Sequence, residues 1–211
     1  MEIETGAASA AAGAAADDLR MMEWQLPIQK MEISNIQIGS PWMRGASAVA
    51  HQAHLAPLSY FSPQFRMPSL SVLFPPLPVI EYVPQTGRLV LDIAETHLAC
   101  IKLGTLQETL IAAVAFHQTA WFKTDYTVQQ IRNGFQPLLV GTHLIFHCPP
   151  GRACMVGGSD TTDIRVGSRV RVAVKIHGLS FLNRQDISGS ETGWIGRCRL
   201  QHRIVGLVKM S

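Results

Sequence analysis

The sequence is short of charge, of aromatic residues and of long apolar runs. Charged residues make up 16% of its 211 positions and aromatic residues 7%, against 47% hydrophobic. So apolar a chain does not have the composition of a disordered one, and its charge-poor surface is expected to meet a partner. The apolar stretches at residues 110–116 and 70–80 are too short or too broken by proline for a membrane span, which takes about 20 residues. A secretory leader is not in view: Glu2, Glu4, Asp17 and Asp18 flank an Ala/Gly run where a leader would carry basic and then apolar residues. The protein is therefore expected to be soluble and not secreted. Its four cysteines, Cys100, Cys148, Cys154 and Cys198, read as reduced thiols of a cytosolic or nuclear protein rather than as disulfides.

The motifs of catalysis are missing as well. There is no Gly-x-Ser-x-Gly elbow, and His117 and Asp125 have no Ser or Cys partner in a recognisable setting. No Gly-x4-Gly-Lys-Ser/Thr loop is present to cradle phosphates, and Gly157-Gly158 lacks the Lys and helix that would follow. The chain is not expected to be an enzyme or to carry a cofactor. One cluster holds ligand types that zinc accepts: His143, His147, Cys148 and Cys154. On a strand His143 and His147 share one face and Cys148 takes the other, so these residues converge only if the following loop folds back. Ordinary partly buried His and Cys explain them better, and no metal is expected.

What is there is an uneven charge. Residues 1–130 hold seven Lys/Arg against eleven Asp/Glu, net −4, and residues 131–211 hold eleven against four, net +7. A basic half points to nucleic acid or another acidic surface, or to a merely solvated basic face.

The chain falls into three parts: a low-complexity, disordered tail (1–20), a Pro-rich N-terminal or tip-like region (21–104), and an OB-like β-barrel (105–211). Residues 31–38 suggest a strand of imperfect alternation. Seven prolines between 55 and 84 leave no room for a long helix and predict an extended, packed connector. Its apolar anchors Tyr60, Phe61, Phe65, Leu70 and Phe74 are candidate interface residues. From Gly87 on, short β-like runs separated by turns are expected at 88–93, 97–103, 121–128, 138–148, 169–176, 194–200 and 204–210. The run 109–116 (TLIAAVAF) suits a helix or a buried strand, and strand is favoured by its neighbours. At 169–176 alternation is strict: Arg169, Arg171, Ala173 and Lys175 lie on one face, Val170, Val172, Val174 and Ile176 on the other. The class predicted is mainly β, a C-terminal OB-like barrel preceded by a short tip-like α+β or irregular segment.

Arg169, Arg171, Lys175, Arg197, Arg199 and Arg203 form the candidate nucleic-acid surface, since neutralising phosphates takes Lys or Arg. Unstacked bases need aromatic platforms, for which Trp194 and Phe181 are the candidates, with Trp121 and Phe122 more readily read as core.

Three segments together resemble the larger stalk subunit of nuclear and archaeal RNA polymerases. They are His54-Leu55-Ala56-Pro57 with Tyr60-Phe61-Ser62-Pro63 and Leu70; Gln107 to Val114 followed by Trp121-Phe122-Lys123; and Val170 to Val174 with Ile195-Gly196-Arg197-Cys198 and Val205-Gly206-Leu207-Val208. The resemblance implies a tip domain followed by an OB barrel, the second segment supplying the first barrel strands. It also implies a non-catalytic nuclear or nucleolar subunit that docks on the polymerase core beside a smaller stalk partner. There it would meet nascent RNA or initiation factors. The tip is shorter here, its glycine-rich turn is absent, and Arg197 stands where a small residue follows the glycine. Two other classes stay open: a free-standing OB-fold single-strand binder, and a structural or capsid-type assembly protein.

Overall fold

The computed structural model describes residues 25–43, 54–147, 164–185 and 191–210. The expected tail and the loop at 149–163 lie outside them. The main elements are β1 (His54–Phe61), β2 (Leu70–Leu73), β3 (Leu77–Val83), β4 (Arg88–Asp92), α1 (His97–Phe122), α2 (Val128–Gly134), β5 (His143–His147), β6 (Arg169–Gln185) and β7 (Glu191–Met210). The protein is mainly β, as its alternating runs predict.

The strict alternation at 169–176 opens β6, a strand of 17 residues with both edges occupied. Along one edge it forms an antiparallel hairpin with β7. Along the other it meets three earlier segments in turn: 77–78 against 169–170, 70–73 against 173–176, and 54–57 against 178–181, all antiparallel. The backbone ladder continues from β3 to β4 to β5, again antiparallel. The five strands therefore run in the order β7-β6-β3-β4-β5, an arrangement of the partly open OB-like kind. Four successive antiparallel steps leave β5 and β7 pointing the same way. No ladder joins them among the described residues, yet the Phe146 ring of β5 and the His202 ring of β7 lie 5.6 Å apart. The sheet curls until its two edges approach: residues 135–136 pair in parallel with 198–199 of β7 and residues 139–140 pair antiparallel with 143–144 of β5, so this segment bridges the edges and a seam remains beside it.

The segment 55–84, predicted as an extended, packed connector, is extended as strands of the sheet, with proline at points the ladder tolerates: Pro57 where β1 joins β6, and Pro78 at the start of β3. Residue 104, the expected boundary before the barrel, lies inside α1, and β1 to β4 pair within the same sheet as β6. One continuous core runs from Leu26 to Leu207.

The expected strands at 97–103 and 109–116 are corrected to helix, and that at 121–128 to a helix end, a turn and the start of a second helix. The first two lie within α1, which is 26 residues long and ends at Phe122, and Val128 opens α2. Lys123, at φ 55°, caps α1 in the left-handed region. Ala and Leu give the segment its helical propensity. Leu103, Leu106, Leu110, Ile111 and Val114 bury one stripe against the sheet. Leu98, Ile101 and Phe116 face outward, Phe116 at 81% exposure. Apolar residues on both faces erase the 3.6-residue period that marks a surface helix. With a mean hydropathy of 1.4, α1 also has the length and composition of a membrane span, which the sequence was not expected to contain. Its inner stripe, however, is core, and Lys102 anchors it by donating to the Gln29 and Met31 carbonyls at 2.7 Å each.

Gly178 marks the bulge in β6 where β1 and β7 both pair. A Cβ there would stand 2.1 Å from the Ala56 carbonyl oxygen, a backbone atom with nowhere to go. Gly178→Ala is expected to destabilise the fold by about 1–3 kcal/mol, the usual cost of forcing an extra carbon into a packed site. Urea unfolding followed by circular dichroism reads it, and an unshifted midpoint would contradict the close approach of β1 and β6.

Candidate nucleic-acid interface

Side chains alternate across a strand, so β7 carries Trp194, Cys198 and Leu200 on its inner face and Ile195, Arg197, Arg199 and Arg203 toward solvent. The same alternation places Arg169, Arg171 and Lys175 of β6 outside and Val170, Val172, Val174 and Ile176 in the core. Lys175 stands directly opposite Arg203 across the hairpin. The structure thus brings the six predicted cations onto the outer face of one β-hairpin.

They are not equivalent. Arg169 bonds Glu95 and the Pro76 carbonyl at 3.1 Å each, which ties the hairpin to the segment before α1. Other carboxylates are taken by cations elsewhere: Glu81 by Arg88, Glu108 by Arg132, Glu32 by Lys102. Among the described residues no ion pair holds Arg171, Arg197, Arg199 or Arg203. Alternate residues on a strand are about 7 Å apart, so Arg197 and Arg199 offer guanidinium groups at short, regular intervals.

The predicted stacking platforms need correction. Phe181 is fully buried and Trp194 is 3% exposed. Both rings pack on Phe122, at 4.8 and 5.1 Å, and the Trp194 Nε1–H donates to the Arg197 carbonyl at 2.7 Å. These rings close the core between the far end of α1 and the hairpin, so neither presents a face to a base. Trp121 and Phe122, read as core, are half-buried in the same cluster. Of the candidate interface residues, Tyr60, Leu70 and Phe74 are likewise core. The Tyr60 hydroxyl accepts from the Glu32 backbone N–H at 3.2 Å. Phe61 and Phe65 remain at the surface, Phe61 under the Arg66 guanidinium at 5.6 Å and Phe65 stacked on Tyr60 at 5.7 Å.

His143 and His147 are exposed at opposite ends of β5, while Cys148 and Cys154 lie outside the described residues. Among the described residues no three His, Cys, Asp or Glu gather closely enough to hold a metal ion. Burial pushes the Cys198 thiol up to about 12, so it stays protonated and unreactive at neutral pH.

The basic face runs into the open seam, where Arg88, His147, Arg199, Gln201 and His202 surround a cleft of about 730 Å³. These seam residues of β4 and β5 escape sequence reasoning, because their proximity to β7 depends on the curl of the sheet. His202 Nδ1 lies 3.0 Å from the Leu200 carbonyl, which only accepts, so this nitrogen carries the ring proton. Burial lowers the His202 pKa below its ordinary 6.5; Arg199 and His147 lower it further, against a partial lift from the Leu200 carbonyl. No family model, curated protein or solved structure matches this chain, so its residues and geometry carry the functional argument alone.

The sign of the His202 effect on stability follows from linkage. In the unfolded chain the ring protonates near pH 6.5, and in the folded chain only at lower pH. The stabilisation is complete above about pH 6.5 and is lost as pH falls through that value toward the folded pKa. The urea midpoint is therefore expected to drop between about pH 7.5 and pH 5.5, and to drop less in His202→Gln. Equal drops in both proteins would remove His202 as the source.

Proposed function

We propose that this protein is a non-catalytic, single-stranded nucleic-acid-binding module that holds phosphates along the outer face of the β6–β7 hairpin. The observation that carries this reading is the row Arg197, Arg199 and Arg203, with Arg171 beside it: exposed, on one face, and in no ion pair among the described residues. Leaving four cations on one face of a chain with only 16% charge is unfavourable self-repulsion that a polyanion relieves. A flat strand face bordering a cleft suits an extended single strand, because readout of a duplex takes a helix or ribbon that can enter the major groove. The open five-stranded curl is of the class that binds oligonucleotides elsewhere, which is analogy and counts only as support.

A second reading is the RNA polymerase stalk subunit, in which this face meets nascent RNA and the chain docks on the core enzyme in the nucleus beside a smaller partner. The apolar outward face of α1 favours it, since Leu98, Ile101 and Phe116 are residues an assembly would cover. Of the three segments that resemble that family, 107–114 lies in α1, not in the implied barrel strands, while 170–174, 195–198 and 205–208 form the hairpin. Co-purification from native cells separates the readings: polymerase subunits in the eluate favour the stalk, and a regular self-assembly favours a structural protein.

The direct test is fluorescence anisotropy of a labelled 20-mer of deoxythymidine or uridine across a salt series. Wild-type affinity is expected to fall with salt. Replacing Arg197, Arg199 and Arg203 together by Ala should weaken binding and flatten the log–log salt slope by about 2, at roughly 0.7 per lost phosphate contact on a single strand. Unchanged affinity and slope in the triple variant would sink the proposal.

A further inference from the structure

The basic face can hold phosphates, but with Phe181 and Trp194 in the core the hairpin offers no ring on which a base could stack. The cleft in the seam offers apolar walls and amides in place of a ring. By alternation, Phe146 of β5 and Leu200 of β7 turn into the core beneath the cleft, with the half-buried His202 at its base, while Ile145 and His147 stand on one wall and Arg199 and Gln201 on the other. Val140 and Gln136 close one end, Arg88 and Thr86 the other. At about 730 Å³ the cleft lies within the range of small-molecule sites.

We infer that the cleft is a nucleotide subsite that takes one unstacked base together with its phosphate from the strand lying on the adjoining face. The inference rests on the nucleic-acid reading of that face and goes further by assigning the base a place. The exposed Val140 and the half-buried Ile145 give apolar walls against which a base can lie once it leaves its neighbours. The amides of Gln136 and Gln201 each offer a donor and an acceptor, the complement of a base edge. His202, its Nδ1 proton committed to the Leu200 carbonyl, presents Nε2 as an acceptor while the ring is neutral.

Two guanidinium groups flank the cleft and differ in availability. Arg88 is held by Glu81 at 2.9 Å, whereas Arg199 has no ion pair among the described residues. Arg199 belongs both to the exposed row and to the cleft, so the phosphate attached to the inserted base is assigned to it. The next phosphates then fall along the row toward Arg197 on one side or Arg203 on the other. Residues 135–136 pair with 198–199 of β7 and residues 139–140 with 143–144 of β5, so this segment walls one end of the cleft beside Arg199.

The test follows the imidazole NMR signals of His147 and His202, assigned with His147→Gln and His202→Gln, during titration of the full chain with 5′-AMP and with 5′-UMP. Inorganic phosphate and adenosine are titrated in parallel. At least one nucleotide is expected to shift both signals at lower concentration than phosphate or adenosine does. The double variant Gln136→Ala/Gln201→Ala should weaken that nucleotide about tenfold, the worth of two hydrogen bonds at roughly 0.7 kcal/mol each, and leave phosphate unchanged. Phosphate acting as strongly as both nucleotides, or no shift with either nucleotide, overturns the subsite. If the 20-mer binds in a salt-dependent way while neither mononucleotide reaches the imidazoles, the subsite falls and the basic face stands. If a mononucleotide binds as described while the 20-mer gains nothing from the arginine row, the subsite stands and the reading of the face falls.

Discussion

The fold depends on one strand having a partner on each edge for its whole length. β6 is the common neighbour of β7, β3, β2 and β1, and the three segments on its second edge are met in reverse order of sequence, as a chain folding back along it must meet them. The pairings on that second edge are all between residues far apart in sequence, so none forms cheaply before β6 is in place. The bulge at residue 177 of β6, and the shift at 173–174 where β7 carries the extra residue 205, bend the hairpin between one partner and the next, and Gly178 gives β1 the room to approach. The same bending curls the sheet toward the meeting of Phe146 and His202. The basic face, the seam and the cleft are all consequences of how β6 is held.

Legibility in the sequence follows this dependence. Strict alternation made 169–176 readable as a strand with its apolar face inward, because one face is core and the other solvent. The helix α1 was unreadable by period: its inner stripe of Leu103, Leu106, Leu110 and Val114 is apolar, and so are Leu98, Ile101 and Phe116 on its outer side. A segment apolar on both sides reads as a buried run, and strand was then chosen from the company it kept. The prolines of 55–84 misled differently, since a proline on a strand edge or at a strand start removes no ladder bond that the sheet needs. Their segment is part of the sheet, joined to β6 in register.

For the site, charge is legible in the sequence; parity alone places the Trp194 ring, whereas Phe181 shares the parity of Arg169, Arg171 and Lys175 and turns inward only past the bulge at residue 177. Trp194 is three residues before Arg197 and five before Arg199 on the same strand, so it must face the opposite way from both. A base stacked on Trp194 could not have its phosphate on those arginines. The structure adds why the inward face suits aromatic residues there: Phe122 at the end of α1 reaches both Phe181 and Trp194, closing a gap at the far end of the hairpin. Arg88 and Gln136 are invisible as site residues in the sequence, and His147 stands out there only as a zinc-type ligand, because nothing local places β4 and β5 beside β7.

The division of labour between face and cleft has a physical consequence for selectivity. Phosphate contacts give affinity that is steep in salt and blind to sequence, since every nucleotide carries the same charge. A site made only of Arg197, Arg199 and Arg203 would hold any accessible polyanion, double-stranded or single-stranded, in proportion to how many charges it reached. Discrimination requires a group that the wrong ligand cannot satisfy, and a recessed slot with amides in its walls is such a group, because a base locked in a duplex cannot enter it and an anion without a base leaves it half empty. Arg199, standing in both, couples the two: an ordered phosphate at Arg199 places its own base at the mouth of the slot, and a base in the slot fixes which phosphate Arg199 holds. The face would supply encounter and the seam would supply preference for unpaired strands.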